Sequence, residues 1–132
     1  GRQIGRKAIV VFSDGEDQGS HVTLEDVQRR LETSDVTLYM IGEGRGVTVE
    51  RLRKIMDQLA TPTGGRAFTT ASVDELHRAF DELLDELSHQ YLLGYQPTNG
   101  ASDDTWREIR IEIDGRPGTI RARQGYRAAP SR

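Results

Sequence analysis

The sequence has no cysteine, no long hydrophobic run and no excess of basic residues. Because none of its 132 residues is cysteine, the chain forms no disulfide, no Cys-ligated zinc site and no cysteine nucleophile. No stretch approaches the roughly 20 apolar residues that a membrane-spanning helix needs. The formal net charge is −3, whereas nucleic-acid-binding domains usually present a basic face. The sequence therefore predicts neither a membrane span nor a nucleic-acid partner.

The residues that are present are typical of one folded domain with an uneven charge distribution. Hydrophobic residues make up 35% and charged residues 30% of the chain, and the apolar positions recur periodically. Segment 66–104 holds two arginines against eight acidic residues, whereas 105–132 holds seven arginines against three. We expect the basic end to lie against the acidic helix that precedes it. The predicted organisation is an α/β unit (1–89), an antiparallel β appendage (90–127) and a frayed tail (128–132).

Strands and helices alternate in the pattern of the first 89 residues. Continuous apolar runs at Lys7–Phe12 and Val36–Ile41 are typical of strands buried on both faces of a parallel sheet, and Ala67–Thr70 predicts a short third strand. Amphipathic helices follow them, and the sequence predicts their N-caps at Thr23, Thr48 and Ser72, the last in a capping box with Glu75. This order predicts an α/β fold with a Rossmann-like parallel sheet.

The pattern changes to antiparallel β-structure after the third helix. Tyr91–Tyr95 is predicted to form a strand. In Trp106–Ile113, isoleucines alternate with charged residues, which predicts a half-buried antiparallel strand. A turn at Asp114–Gly118 then leads into Thr119–Arg123, which the sequence predicts to pair with it. These strands form the predicted appendage.

The candidate site follows from the topology of the predicted sheet. Ligands of open parallel sheets bind beyond the carboxyl ends of the strands, where the polar loops Ser13–Asp17 and Gly42–Gly46 are expected. Carboxylates there suit a hard cation, so Asp14 is the candidate metal ligand, although most acidic turns are simply solvated. A second hypothesis is a metal-dependent hydrolase in which Asp14, Glu16 and Asp17 hold the ion and Glu43 acts as base.

Other residues are weaker candidates. His21 follows the acidic loop but is expected to be a surface histidine, and His77 and His89 are too far apart on one helix to share a metal. Ser13 lacks a nucleophile elbow. The aromatic residues of the C-terminal part are expected to pack rather than to bind: Tyr91, Tyr95, Trp106 and Tyr126.

Several separated motifs resemble the C-terminal half of a von Willebrand factor type A domain. Gly5–Asp17 is similar to the fourth strand of that family and Val36–Gly42 to the fifth, while Leu59–Phe68 resembles the link into the sixth strand. Ser72–Ser88 resembles the closing helix. The tail, with Tyr-Leu-Leu-Gly-Tyr and Arg-Ala-Arg-Gln-Gly-Tyr motifs, is similar to the bacterial group of VWFA-related domains that is frequent in acidobacteria.

The resemblance implies a non-enzymatic protein-binding or adhesion module with a metal-ion-dependent adhesion site. Such a site holds Mg²⁺, or Ca²⁺ or Mn²⁺, and the ion takes an acidic residue from a partner protein. Of the ligands that the family uses, only the aspartate after the fourth strand has a counterpart here, Asp14; no Asp-x-Ser-x-Ser motif occurs. We therefore expect a C-terminal half-domain that binds its ion weakly or not at all. The resemblance also implies an exported bacterial protein.

A half-domain of this kind would expose one edge of its sheet. In the complete fold the family's first strand lies beside residues 8–12, so these residues are expected to form an open apolar edge. We expect the chain to form homodimers or to aggregate through this edge, unless the other half of the domain accompanies it and covers the edge. A third hypothesis is that assembly through the edge is itself the function.

Overall fold

The computed structural model describes residues 6–14, 21–44 and 47–128 and shows five strands and three helices there. The elements in chain order are β1 Lys7–Ser13, α1 Leu24–Thr33, β2 Val36–Glu43, α2 Val47–Ala60, β3 Ala67–Thr70, α3 Val73–Ser88, β4 Trp106–Glu108 and β5 Gly125–Arg127. Strands β1, β2 and β3 form a parallel sheet in that order, and β4 and β5 pair antiparallel in a second, smaller sheet. The predicted α/β fold with a parallel sheet and a small antiparallel β-structure is confirmed.

The three helices cover the two faces of the parallel sheet. Helices α1 and α2 pack on one face, where Leu38 and Met40 of β2 meet Met56 and Leu59 of α2. Helix α3 packs on the other face through buried residues such as Leu83, against the alternate side chains of β2. Because successive side chains of a strand point to opposite faces, the continuous apolar sequence of β2 serves both layers.

Strand β1 is less buried than its sequence predicts. The apolar run of β1 predicts burial on both faces, but Ile9 is 49% and Phe12 56% exposed. The prediction of double burial is correct for β2, the central strand, and wrong for β1. The reason is position, since β1 lies at an edge of the sheet and the helices cover it only in part.

Two predicted helix caps are present and one is wrong. The Thr23 hydroxyl accepts a hydrogen bond from Asp26 N–H at 3.1 Å, and the Asp26 carboxylate accepts one from Thr23 N–H, also at 3.1 Å. The hydroxyl of Ser72 accepts from Glu75 N–H at 3.3 Å, but the Glu75 carboxylate accepts from Ala71 N–H rather than from Ser72. Helix α2 already begins at Val47, so the predicted cap, the next residue, lies inside its first turn.

Acid is expected to weaken the start of α1. Hydrogen bonds from the Thr23 hydroxyl and N–H hold the pKa of Asp26 below its ordinary value of 3.8. The folded chain therefore binds fewer protons than the unfolded one, so this stabilisation is present above pH 3.8 and is lost as pH falls through the folded-state pKa. Urea midpoints measured across the acid range should depend less on pH in Asp26→Asn than in the wild type. The matched control is Glu25→Gln; the same flattening in that variant would contradict the assignment to Asp26.

The C-terminal strands differ from the prediction in extent and register. Tyr91–Tyr95 forms no strand, and Tyr91 is 91% exposed, so the predicted strand is wrong. Only Trp106–Glu108 of the predicted strand 106–113 is paired, and its partner is Gly125–Arg127 rather than the predicted 119–123. Within 119–123, Arg123 alone takes part in β-pairing, in an isolated bridge to Thr63.

Arginines attach this C-terminal part to α1. The guanidinium of Arg123 donates to the carbonyl oxygens of Leu31 at 3.2 Å and Val36 at 2.9 Å, and its half-burial lowers its pKa. Arg127 donates to the Glu32 carboxylate at 2.8 Å. Among the described residues, the expected contact of the basic end with acidic α3 is limited to Arg121, whose Nη1 lies 3.4 Å from a Glu86 oxygen. Most of the anchoring described therefore lies on α1.

The division of the chain into an α/β unit (1–89), an appendage (90–127) and a tail (128–132) remains a prediction. The predicted frayed tail, 128–132, lies outside the described residues except for Ala128, whose N–H donates to the Thr105 carbonyl at 3.1 Å. Within the described ranges, no helix is long and apolar enough to cross a membrane.

Candidate functional site

A pocket of about 510 Å³ lies at the carboxyl ends of the parallel strands. Its lining comes from all three strands and from the start of α3, and it combines polar and apolar side chains: Phe12, Ser13, Asp14, Ile41, Glu43, Thr70, Ser72, Val73 and Leu76. This is the edge at which open α/β sheets bind ligands. Asp14 and Glu43, which were predicted to meet there, line the same pocket.

The strand register explains why these residues meet. Ser13 is opposite Gly42 in the β1–β2 pairing, so Asp14 leaves β1 level with the end of β2. Glu43 is opposite Thr70 in the β2–β3 pairing. All three strands therefore end at one height. Because they run parallel, the residue after each end is delivered to the same edge.

Gly42 lies between the pocket-lining residues Ile41 and Glu43 at the end of β2. A Cβ atom at this position would lie 2.7 Å from Cε of Met56, a fully buried residue of α2. Glycine thus lets α2 pack closely against the end of β2. The Gly42 carbonyl accepts a hydrogen bond from the Thr70 hydroxyl at 3.4 Å, which joins β2 to β3 at the pocket.

The start of α3 forms the far wall of the pocket. Its N-cap Ser72 and its first residue Val73 both line the pocket. Two acidic residues, Asp74 and Glu75, follow in the first turn, where carboxylates interact favourably with the positive end of the helix dipole. The Ser72 hydroxyl and the Glu75 carboxylate each accept a hydrogen bond from a backbone N–H group. These two bonds hold the start of α3 in place at the pocket.

The oxygens of the pocket fit a hard divalent cation in kind but not in number. Mg²⁺ and Ca²⁺ prefer carboxylate, hydroxyl and carbonyl oxygens, which Asp14, Glu43 and Ser13 carry. Thr70 is a buried residue, and its hydroxyl donates to the Gly42 carbonyl. Among the residues that the structure describes, no group of three or more His, Cys, Asp or Glu side chains is placed to hold a metal. Any ion at Asp14 needs further ligands from water or from outside the described residues.

The remaining predicted candidates lie elsewhere. Glu16 and Asp17, the other acidic residues of the hydrolase hypothesis, are outside the described residues. His21 is exposed and does not line the pocket. His77 and His89 are exposed on α3, and Nδ1 of His89 lies 2.8 Å from the Asp85 carbonyl oxygen.

The expected packing of the C-terminal aromatics is only partly correct. Trp106 covers Gly125, where a Cβ atom would overlap its ring, and the hydroxyls of Tyr95 and Tyr126 lie near each other. The interaction of the two hydroxyls raises the pKa of Tyr95 and lowers that of Tyr126. The packing prediction is wrong for Tyr91, whose side chain extends into solvent.

Thr70 and Ser72 line the pocket but were not predicted as site residues. The sequence contained the signal for both. Thr70 ends β3. Ligands of an open parallel sheet bind at the carboxyl ends of all its strands, so the end of β3 belongs to the site as much as the ends of β1 and β2. Ser72 was predicted as a helix cap, and a cap two residues after that strand must lie at the same edge.

Comparison with known proteins identifies one family. The family model for the von Willebrand factor type A domain matches residues 1–82, about three fifths of the chain. The match spans β1 to most of α3 and includes the strand ends that form the pocket. Neither the curated proteins nor the solved structures give a significant match.

Proposed function

The chain belongs to the von Willebrand factor type A family, and from that membership we propose that it is a protein-interaction module whose contact site is the pocket at Asp14. Domains of this family are generally non-enzymatic interaction modules, and they often bind a divalent cation. The observation that carries the proposal is the convergence of Asp14, Glu43 and Ser13 in one open pocket at the carboxyl edge of the sheet.

Asp14 is the proposed metal ligand of this site. It follows β1 directly and is exposed, so its carboxylate is accessible to an ion from solvent. Bound there, a divalent cation would supply an open coordination position for an acidic residue of the partner. The role of Asp14 is to hold the ion and to offset part of its charge. Because the described oxygens do not complete a coordination shell, we propose weak binding of Mg²⁺, Ca²⁺ or Mn²⁺.

Manganese provides a direct test of the proposed metal site. Paramagnetic Mn²⁺ should broaden the amide signals of residues 12–14 and 43–44 first, and Mg²⁺ should reverse the effect by competition. Asp14→Ala should lower the affinity for Mn²⁺ by roughly tenfold or more. Even the loss of a residue that only hydrogen-bonds a metal ligand lowers metal affinity by about that factor. The control is Asp114→Ala, which removes an exposed carboxylate from a turn outside the pocket. Equal broadening in both variants would contradict a role for Asp14.

An assay of phosphomonoester hydrolysis distinguishes the hydrolase hypothesis from the proposal of an interaction module. Asp14 and Glu43 line one pocket, as that hypothesis also requires. Wild type and Asp14→Ala should be incubated with a phosphomonoester in the presence of Mg²⁺ and Mn²⁺. The interaction module predicts no hydrolysis by either protein. Hydrolysis by the wild type that Asp14→Ala abolishes would overturn it in favour of the enzyme.

Homodimerisation through residues 8–12 stays a prediction. Strand β1 does lie at an edge of the sheet, with Ile9 and Phe12 about half exposed, which is the geometry that the prediction requires. The export of the protein and its place within the bacterial subgroup likewise rest on resemblance alone.

A further inference from the structure

The loop between α3 and β4 contains the only asparagine of the chain. Asn99 is followed by Gly100, and both residues are exposed. Because glycine has no Cβ atom, it leaves its own backbone nitrogen accessible to the side chain of the residue before it. A Cβ atom built at Gly100 would meet no atom of the described chain within 4 Å, so the space beside this peptide bond is open.

A hydrogen bond holds the side chain of Asn99 back along its own backbone. The Ala101 N–H donates to Oδ1 of Asn99 at 3.0 Å, which forms an Asx turn. This bond spans Gly100, whose nitrogen lies between the two partners in the chain. It also places a donor on the oxygen that becomes negative when a nucleophile attacks the side-chain carbonyl carbon, Cγ. Donors at such an oxygen stabilise the tetrahedral intermediate of acyl transfer.

Arg107 of β4 holds the main chain on both sides of Gly100. Its guanidinium donates through Nη1 to the main-chain carbonyl of Asn99 and through Nη2 to that of Ala101. The Arg107 side chain is only 15% exposed, and Nη2 also lies 3.5 Å from a carboxylate oxygen of Asp103. The two carbonyl groups of Asn99 therefore have different donors. Its main-chain carbonyl is polarised by a cation, and its side-chain carbonyl by a backbone N–H.

We propose that Asn99–Gly100 is a site of spontaneous deamidation in the folded protein, with an isoaspartyl residue as its main product. The Gly100 nitrogen gives up its proton to water and bonds Cγ of Asn99. The bond from Cγ to the side-chain nitrogen breaks, and this nitrogen takes up a proton and leaves as ammonia. Water then adds to one of the two carbonyl carbons of the resulting succinimide and opens the ring. Overall, one water is consumed and one ammonia is released.

Arg107 selects the bond at which the succinimide opens. Addition of water at the main-chain carbonyl, which Arg107 polarises, leaves a free α-carboxylate beside the guanidinium and routes the main chain through Cγ. Charge-assisted hydrogen bonds of this kind are stronger than neutral ones. The isoaspartyl product adds one negative charge and one main-chain atom to the loop. The reaction uses neither Asp14 nor a metal, so it is independent of the proposed function.

Incubation of the complete 132-residue chain at neutral pH tests the proposal. Isoelectric focusing detects the added negative charge, and peptide mapping by mass spectrometry locates it and separates the two isomers. Asn99→Asp supplies the reference for the aspartyl product. We expect the folded chain to convert at Asn99 at least as fast as the same chain unfolded in guanidinium chloride, because folding keeps a donor on Oδ1. Slower conversion in the folded chain would overturn the proposal.

Gly100→Ala and Gly94→Ala form a matched pair for the reaction rate. Neither glycine has a positive φ, and both have open space at the Cβ position, so the added methyl group strains neither variant. Gly100→Ala should slow the conversion by roughly tenfold or more, because the methyl group hinders the approach of the nitrogen to Cγ. Gly94→Ala should convert at the rate of the wild type. Equal rates in the two variants would contradict attack by the Gly100 nitrogen.

The ratio of isoaspartyl to aspartyl product tests the role of Arg107. Arg107→Met should lower this ratio severalfold, to the value of the unfolded wild type, because the cation beside the main-chain carbonyl is lost. The control is Arg110→Met, since Arg110 is 79% exposed on the same segment and its nearest carboxylate, Glu112, is 3.9 Å away. Circular dichroism establishes that both variants are folded. The same ratio in both would show that Arg107 does not select the product.

Discussion

Of the described glycines, Gly65 is the one whose replacement by alanine is expected to destabilise the domain most. A Cβ atom at this position would overlap the carbonyl oxygen of Leu38, a buried residue of the central strand. Backbone atoms cannot move aside without breaking the pairing at this point, where Met40 N–H donates to the Arg66 carbonyl at 3.0 Å. Overpacking of this kind costs about 3 kcal/mol. Domains of this size have total stabilities of roughly 5–15 kcal/mol.

The measurement is the urea midpoint, followed by circular dichroism, for wild type, Gly65→Ala and Gly94→Ala. Gly94 is the control because a Cβ atom there meets nothing within 4 Å and its φ is not positive. We expect the first variant to unfold at a much lower urea concentration, or to be unfolded without urea, and the second to match the wild type. Equal midpoints for the two variants would refute the close approach at Leu38.

Arg123→Met is expected to cause the second-largest loss of stability. It removes two hydrogen bonds from a charged donor, to Leu31 and Val36, and leaves both carbonyl oxygens without that partner. Hydrogen bonds to charged groups contribute about 1.5–3 kcal/mol each. Burial of the guanidinium, which lowers the Arg123 pKa, offsets part of this gain. We therefore expect a net loss of about 2 kcal/mol.

Methionine retains most of the aliphatic length of arginine, so the variant tests the guanidinium rather than packing. Arg116→Met, in an exposed turn, is the matched control and should change the free energy of unfolding by less than about 0.5 kcal/mol. Hydrogen exchange adds a local readout, because the amides of β4 and β5 should lose protection in Arg123→Met before those of β2 do. Similar urea midpoints for the two variants would show that Arg123 does not anchor the C-terminal part.

The α/β part of the fold was predictable because its signals are local and agree with one another. The run Val36–Ile41 is apolar at every position except Thr37, and it forms the central strand. Helix α3 begins after a cap at Ser72, as predicted. The same logic located Asp14 and Glu43 at one edge, since parallel strands bring their carboxyl ends together.

The C-terminal part was predicted less well because its strands are defined by distant contacts. Tyr91–Tyr95 has a strand-like composition, but no partner strand lies beside it in the structure. The β4–β5 register depends on Trp106 packing over Gly125, a tertiary contact that no local pattern reveals. The apolar run of β1 did not reveal its edge position, and the expectation of an open edge at residues 8–12 came from the family resemblance instead. Periodicity predicts the faces of a strand, whereas its neighbours decide how much of each face is covered.

The anchoring of the C-terminal part also has a consequence for the order in which the molecule assembles. Arg123 bonds Leu31 and Arg127 bonds Glu32, each more than 90 residues back on α1, whereas each β–α–β step of the parallel sheet closes over a much shorter span. The carbonyl groups of Leu31 and Val36 belong to the end of α1 and the start of β2, so the contact of Arg123 requires both elements in place. We therefore expect β5 to dock after the α/β part has formed. The entropic cost of closing a loop grows only slowly with its length, so the long separation in sequence adds little to the free-energy cost of this contact. The last strand of the chain, β5, thus docks against its first helix, α1.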